Sequence, residues 1–167
     1  MPVIRRLQAA DHAAVLRIND ASVPAVARLD ADELRRLAAI GELHRVAIDE
    51  RQAVVGYMLA FASDEPYDGS EFRHFKARLS QPFLYLDQVA VGESGRRQGF
   101  GVALYESLAD EARARQCTLL CCEVNVIPPN PGSMAFHLRL GFKQYDALAV
   151  DDGRSVVLLT RDTSRFN

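Results

Sequence analysis

A chain of 167 residues with 49% apolar and 25% charged side chains can bury one sizeable core, and this composition excludes disordered, collagen-like and disulfide-scaffold classes. The formal net charge of −2 gives no whole-molecule attraction to nucleic acid or to an anionic membrane, so any anion must be held by a local patch. No apolar run approaches the roughly eighteen residues of a membrane span, and Met1-Pro2-Val3-Ile4-Arg5-Arg6 lacks the apolar stretch of a signal peptide; both point to the cytoplasm.

Val3 to Leu7 alternates and predicts a first strand. Asp11 is placed to cap a helix from about His12 to Ile18, which the Asn19 to Pro24 stretch ends. A second helix is expected from Asp30 to Ile40, because Asp30-x-x-Glu33 has the form of a capping box and Gly41 follows as a stop. His44 to Asp49 and Ala53 to Ala62 predict a hairpin turning near Glu50-Arg51-Gln52. Ser63 to Ser70 carries loop chemistry. Glu71 to Leu79 spaces Phe72, Phe75 and Leu79 as a short helix does, and this insert either covers a site or packs as a surface loop.

Leu84 to Val91 is a strongly apolar strand that runs through a glycine-and-arginine turn into a long helix, on which Leu104, Leu108 and Ala112 mark one face. A helix starting near Gly99 leaves its first N–H groups without intrahelical acceptors, at the positive end of the macrodipole. Glycines at 99 and 101 let an anion approach that backbone, and Arg96 and Arg97 add charge and bidentate donors. The turn lacks the third glycine of the dinucleotide fingerprint and the Gly-Lys-Ser/Thr ending of a P-loop.

Thr118 to Val126 is a continuous β-prone run, so strand, helix and strand form a βαβ unit with parallel strands. Pro128, Pro129 and Pro131 bar the interior of a strand or helix, and a helix resumes from about Ser133 to Gly141. Phe142 to Val150 and Arg154 to Thr160 predict two more strands, joined through Asp151-Asp152-Gly153. No repeat or linker divides the chain, so residues 1–167 are expected to form a single domain. Cys117, Cys121 and Cys122 have neither a disulfide framework's pattern nor a usual zinc spacing, and read as small apolar fillers around a buried strand.

Arg96-Arg97-Gln98-Gly99-Phe100-Gly101, preceded by the apolar Val89-Ala90-Val91, resembles the Arg/Gln-x-x-Gly-x-Gly/Ala turn of the GNAT superfamily of N-acetyltransferases. Asn130-Pro131-Gly132-Ser133-Met134-Ala135-Phe136-His137-Leu138-Arg139-Leu140-Gly141-Phe142 resembles the second signature of that family, in the right order. The Phe-His pair is similar to the phosphinothricin-acetyltransferase branch, and His137 stands where many members have tyrosine. The resemblance implies an α/β (α+β) GNAT fold: a mixed, mostly antiparallel sheet of about six or seven strands, with a central splayed parallel pair and helices on both faces.

It further implies acetyl-CoA as cosubstrate, no metal, and transfer to a primary amine of a small molecule or peptide. Arg96, Arg97, Gln98, Gly99, Phe100, Gly101 and Val102 would take the diphosphate. Val89, Ala90 and Val91 would meet the pantetheine along the strand, with Asn130, Ser133 and His137 as further contacts. Direct attack needs a neutral amine, a stabilised oxyanion and a proton for the departing thiolate. Asp87 interrupts its apolar strand and is the first candidate base; Glu123, in the next strand, is the rival. His137 is the candidate acid or a thiolate contact. Arg139 and Lys143 are either adenosine contacts or solvated charges. The opening helices and the Ser63 to Pro82 insert would form the acceptor side, where no motif names the acceptor. No nucleic-acid or membrane partner is implied, and monomer and homodimer both stay open. A non-catalytic sensor of acyl-CoA on the same fold is the alternative reading.

Overall fold

The computed structural model describes residues 1–150 and 153–164. Its strands are β1 (Val3–Arg6), β2 (Arg45–Ile48), β3 (Val54–Ala62), β4 (Leu84–Val91), β5 (Leu119–Ile127), β6 (Lys143–Ala149) and β7 (Ser155–Asp162). The helices are α1 (His12–Ser22), α2 (Ala31–Ala38), α3 (Ser70–Arg78), α4 (Phe100–Ala114) and α5 (Pro131–Arg139). The strands make one seven-stranded sheet in the order β1-β2-β3-β4-β5-β7-β6. Only β4 and β5, the pair joined by α4, run parallel; the remaining neighbours are antiparallel. This is the mixed sheet expected above.

Helices cover both faces, and β3 shows how. Met58, Ala60 and Ala62 point into one core with Leu104, Leu108 and Ala112 of α4, while Tyr57, Leu59 and Phe61 point into another with Val15 of α1, Leu34 of α2 and Phe72 of α3. Both faces being covered, polar alternation is absent from this strand, which reads as a continuous apolar run. The cysteines divide the same way: all are buried, Cys121 on the α1 side and Cys117 and Cys122 on the α4 side. Among the described residues, no helix is long and apolar enough to cross a membrane.

Several element ends differ from expectation, each for a tertiary reason. Asp11 does not cap α1; its carboxylate takes both ends of the Arg5 guanidinium (2.7 and 2.8 Å) and the Gln8 N–H (2.8 Å). Helix α1 continues through Asn19 to Ser22, because the Asn19 side chain is fully buried and finds its partners in other elements rather than in its own backbone. Asp30 does cap α2, accepting the Glu33 N–H at 2.7 Å, but Glu33 turns to Arg36 instead of completing the box. Helix α5 starts at Pro131, two residues early, since Asn130 caps it and proline suits the first helical position. Asp151 and Asp152 of the last predicted turn lie outside the described residues; Gly153, at φ 83°, donates to the Val150 carbonyl over 3.1 Å.

The site is positioned by the way β4 and β5 part. Their ladder holds Leu84↔Leu120, Tyr85↔Cys121 and Leu86↔Cys122 and then ends, although β4 continues to Val91 and β5 to Ile127. Each strand keeps its outer partner beyond that point, β4 with β3 and β5 with β7. On β4 the register skips from Leu86↔Ala60 to Gln88↔Leu59, which makes Asp87 the extra residue of a β-bulge. A bulge bends its strand and raises the local twist, and this one falls where the two halves of the sheet separate.

Candidate active site

A cavity of about 450 Å³ occupies the gap. Asp87, Gln88 and Val89 of β4 face Glu123, Val124 and Asn125 of β5 across it, and Tyr105 of α4 with Asn130, Ser133 and His137 at α5 also line it. Asp87 and Glu123 are the first residues beyond the last strand pair. Each accepts a phenol: the Tyr67 hydroxyl donates to Asp87 Oδ1 at 2.7 Å, and the Tyr85 hydroxyl to Glu123 Oε2 at 2.6 Å.

Burial lifts the Asp87 carboxyl to about 6, the Glu71 charge adding to it while the Tyr67 hydrogen bond and Arg154 pull the other way. Burial pushes Glu123 well above the usual carboxylate range, reinforced by the charges of Asp87 and Glu71. Two neighbouring carboxyls so placed do not ionise independently. A carboxyl titrating near 6 has the pKa that a general base working near neutral pH needs.

His137 is buried and neutral, burial holding its pKa below the ordinary imidazole value. Its Nδ1 lies 2.7 Å from the Ser133 carbonyl, an acceptor, which assigns the ring proton to Nδ1. The bare Nε2 therefore accepts from the Tyr105 hydroxyl. Both ring nitrogens are engaged, and Tyr105, Phe136 and Phe142 pack edge-on around the ring. His137 thus fixes the phenol of Tyr105 in the cavity wall.

Beyond Val91 the chain enters the turn. Gly99 caps α4 with φ 80°, a left-handed conformation that favours glycine, and a Cβ there would meet nothing within 4 Å. Among the described residues, the backbone N–H groups of 97 to 102 find no main-chain acceptor; the first bond of the helix runs from Ala103 N–H to the Gly99 carbonyl (2.9 Å). Gln98 Nε2 donates to the Ser94 carbonyl (2.7 Å) and closes the loop on itself. Arg96, Arg97, Gln98 and Gly99 are exposed, whereas Phe100 is driven into the α4 core and anchors the turn. At roughly 3.3 Å per residue, β4 carries the chain about 13 Å from Asp87 to Val91 at the foot of this turn.

The predicted residues therefore fall into two groups joined by β4. Asp87, Val89, Glu123, Asn130, Ser133 and His137 gather at the cavity, and Arg96 to Val102 form the open turn. Ala90 sends its side chain into the α1 core, leaving only its backbone to the gap; Val91 is half-buried on the α4 side. Tyr67, Glu71, Tyr85, Tyr105 and Arg154 belong to the same site and carried no motif signal. Tyr67 was legible only as a lone aromatic in a polar loop, and Tyr105 only as a neighbour of the apolar face of α4.

The model of the acetyltransferase (GNAT) family matches residues 13–142. No curated protein matches the chain in sequence. Among solved structures, Ard1 from Thermoplasma volcanium is 20% identical over 96% of this chain and 97% of its own, with a TM-score of 0.75. The NatC complex bound to Gag peptide and CoA is 16% identical over 96% and 98%, with a TM-score of 0.72. A protein assigned by name to the phosphinothricin N-acetyltransferases is 17% identical over 99% and 100%, again at 0.72. At these identities the likeness establishes the fold, and it does not single out the phosphinothricin branch.

Proposed function

The chain belongs to the acetyltransferase (GNAT) family, and we propose that it transfers an acetyl group from acetyl-CoA to a primary amine of a small molecule or peptide by direct attack on the thioester. The observation that carries this reading is the gap between β4 and β5. It offers an unladdered edge of β4 beyond Leu86, with Asp87 at its inner end and the free N–H groups of 97 to 102 at its outer end.

The donor set fits a diphosphate, since main-chain N–H groups at a helix start, an open space at Gly99 and the exposed Arg96 and Arg97 all favour an anion. The free edge at Val89, Ala90 and Val91 fits an extended, amide-bearing arm, which would add to β4 as a further strand does. Acetyl-CoA supplies the activated acetyl group. Asp87 takes the ammonium proton, directly or through water. Glu123 shares the charge of that step. A β4 N–H near Val89 polarises the acetyl carbonyl, and the Tyr105 hydroxyl, whose proton rests on His137 Nε2 before the substrates meet, turns that proton to the departing sulfur. The amine nitrogen bonds to the acetyl carbon, the carbon–sulfur bond breaks with its electron pair going to sulfur, the sulfur takes the Tyr105 proton so that coenzyme leaves as the thiol, and the proton shed by the new amide nitrogen restores the phenol.

Thiol release from acetyl-CoA in the presence of a mixed amine panel tests the reading. Turnover with any amine supports it; tight coenzyme binding by calorimetry with no turnover on any amine replaces it with an acyl-CoA sensor.

A further inference from the structure

The cavity beside Asp87 has two unlike walls. One is apolar and comes from Val23, Pro24, Val26 and Leu29 with Leu37 of α2. This wall is fixed: Asn19 Nδ2 and Gln88 Nε2 both donate to the Ala27 carbonyl (2.9 and 3.0 Å), and Asn19 Oδ1 accepts the Leu29 N–H (2.8 Å). The other wall is acidic, formed by Glu71, Asp87 and Glu123.

Positive charge near that wall is committed. Arg154 lies 3.3 Å from Glu71 and 3.3 Å from Asn125 Oδ1, Arg28 pairs with Asp20 at 2.8 Å, and Arg36 with Glu33 at 2.7 Å. Asp87 and Glu123 accept only the neutral phenols of Tyr67 and Tyr85 and form no ion pair among the described residues.

We propose that the acceptor is a primary amine on an apolar body with no anionic group on the carbon beside the nitrogen. Its ammonium sits at Asp87 and Glu123, and its apolar body lies on the wall from Val23 to Leu29. This rests on the transferase reading above and narrows it. Burial lifts both carboxyls, and among the described residues no cation pairs with either, so an incoming ammonium relieves that cost. A free amino acid brings a carboxylate two bonds from the same nitrogen, so its anion meets the acidic wall whenever its amine reaches Asp87, and like charges in a poorly solvated cavity repel strongly. The shared chemistry has two sources, a free alkylamine or arylalkylamine and a peptide N-terminus whose first residue is apolar, since an amide carbonyl there is neutral.

The test is kcat/KM, from thiol release by the intact chain with acetyl-CoA, for phenethylamine, phenylalanine, phenylalaninamide and a phenylalanine-led tripeptide amide, which share one apolar group. Either phenethylamine or the amides should exceed phenylalanine by about 100-fold, and which of them leads identifies the source. Phenylalanine within about threefold of the better of them overturns the proposal. Binding is read separately, by calorimetry of phenethylamine, phenylalaninamide and phenylalanine into the CoA-saturated protein. A neutral-carbon amine preferred without any turnover supports the charge selection and sinks the transferase reading; no preference over phenylalanine overturns the selection whatever the turnover.

Discussion

The Tyr67 hydroxyl donates to Asp87 Oδ1 over 2.7 Å and ties the loop after β3 to the bulge of β4. The Tyr67 ring is itself stacked on Phe61, with centroids 3.9 Å apart and planes 3° from parallel, so the hydrogen bond has a rigid donor. Asp87 is thereby aimed into the cavity and held as a carboxylate that burial would otherwise neutralise more completely.

Replacing Asp87 with Asn keeps an acceptor for Tyr67 and removes the base. The carboxyl titrates near 6 in the folded chain against 3.8 ordinarily, so the wild-type rate should rise with pH through about 6 as the base ionises. In Asp87→Asn that limb should vanish and kcat/KM should fall by about 10²-fold or more at pH 7. Stability moves the other way. A carboxyl whose folded pKa is raised costs the fold free energy once pH climbs past its unfolded value, the cost growing up to the folded one, on the order of 2 to 3 kcal/mol here. The variant should therefore melt higher than wild type at pH 7 and show no such gain at pH 3. An unchanged pH–rate profile removes Asp87 from the mechanism and leaves Glu123 or an ordered water.

Tyr105 and His137 should behave as one unit, because the imidazole acts on the cavity through the phenol it holds. Tyr105→Phe and His137→Phe should each lower kcat by about 10²-fold, with the KM for acetyl-CoA little changed. The double variant should be no slower than the worse single one. Multiplicative losses in the double variant would mean that the two act separately, and wild-type rates in both would remove the pair from the reaction.

Gly99→Glu should abolish coenzyme binding while the chain stays folded. A Cβ at Gly99 meets no atom within 4 Å, so the cost to folding is the left-handed backbone at φ 80°, about 1 to 2 kcal/mol. The added carboxylate, however, stands in front of the free N–H groups of 97 to 102. Gly99→Ala shares the backbone cost without the charge and should retain most of the affinity. Calorimetry giving Gly99→Glu the wild-type affinity would refute the diphosphate turn.

What was legible in the sequence was local. The turn from Arg96 to Gly101 advertises itself because anion binding at a helix start needs small residues and cations within one short stretch, and the parallel pair follows from a helix between two β-prone runs. The parting of β4 from β5 was expected from the resemblance alone, since a bulge at Asp87 leaves no mark on hydrophobic pattern. The phenols were hidden for a different reason. Tyr67 meets Asp87 across 20 residues of sequence and Tyr105 meets His137 across 32, separations with no periodic signature. Asn19 misled outright: its turn propensity marks a chain break when read locally, yet the residue sits inside α1 with its amide satisfied by the sheet.

That amide is the last point at which stability and function can be separated. Asn19 bonds the Ala27 carbonyl, the Leu29 N–H, the Tyr57 hydroxyl (3.0 Å) and Gln88 Oε1 (3.2 Å) from a fully buried position. Asn19→Ala leaves the Leu29 N–H without its acceptor and opens a small void, for a loss of about 2 to 4 kcal/mol on chemical denaturation. Asp87, Tyr105 and the turn at Gly99 are untouched by that change, so coenzyme affinity should survive in the fraction that remains folded. The apolar wall from Val23 to Leu29 loses its pin, and the KM for the amine should rise by about tenfold with kcat within a factor of three. Loss of coenzyme affinity in proportion to loss of amine affinity would show that this segment supports the whole gap rather than its acceptor side.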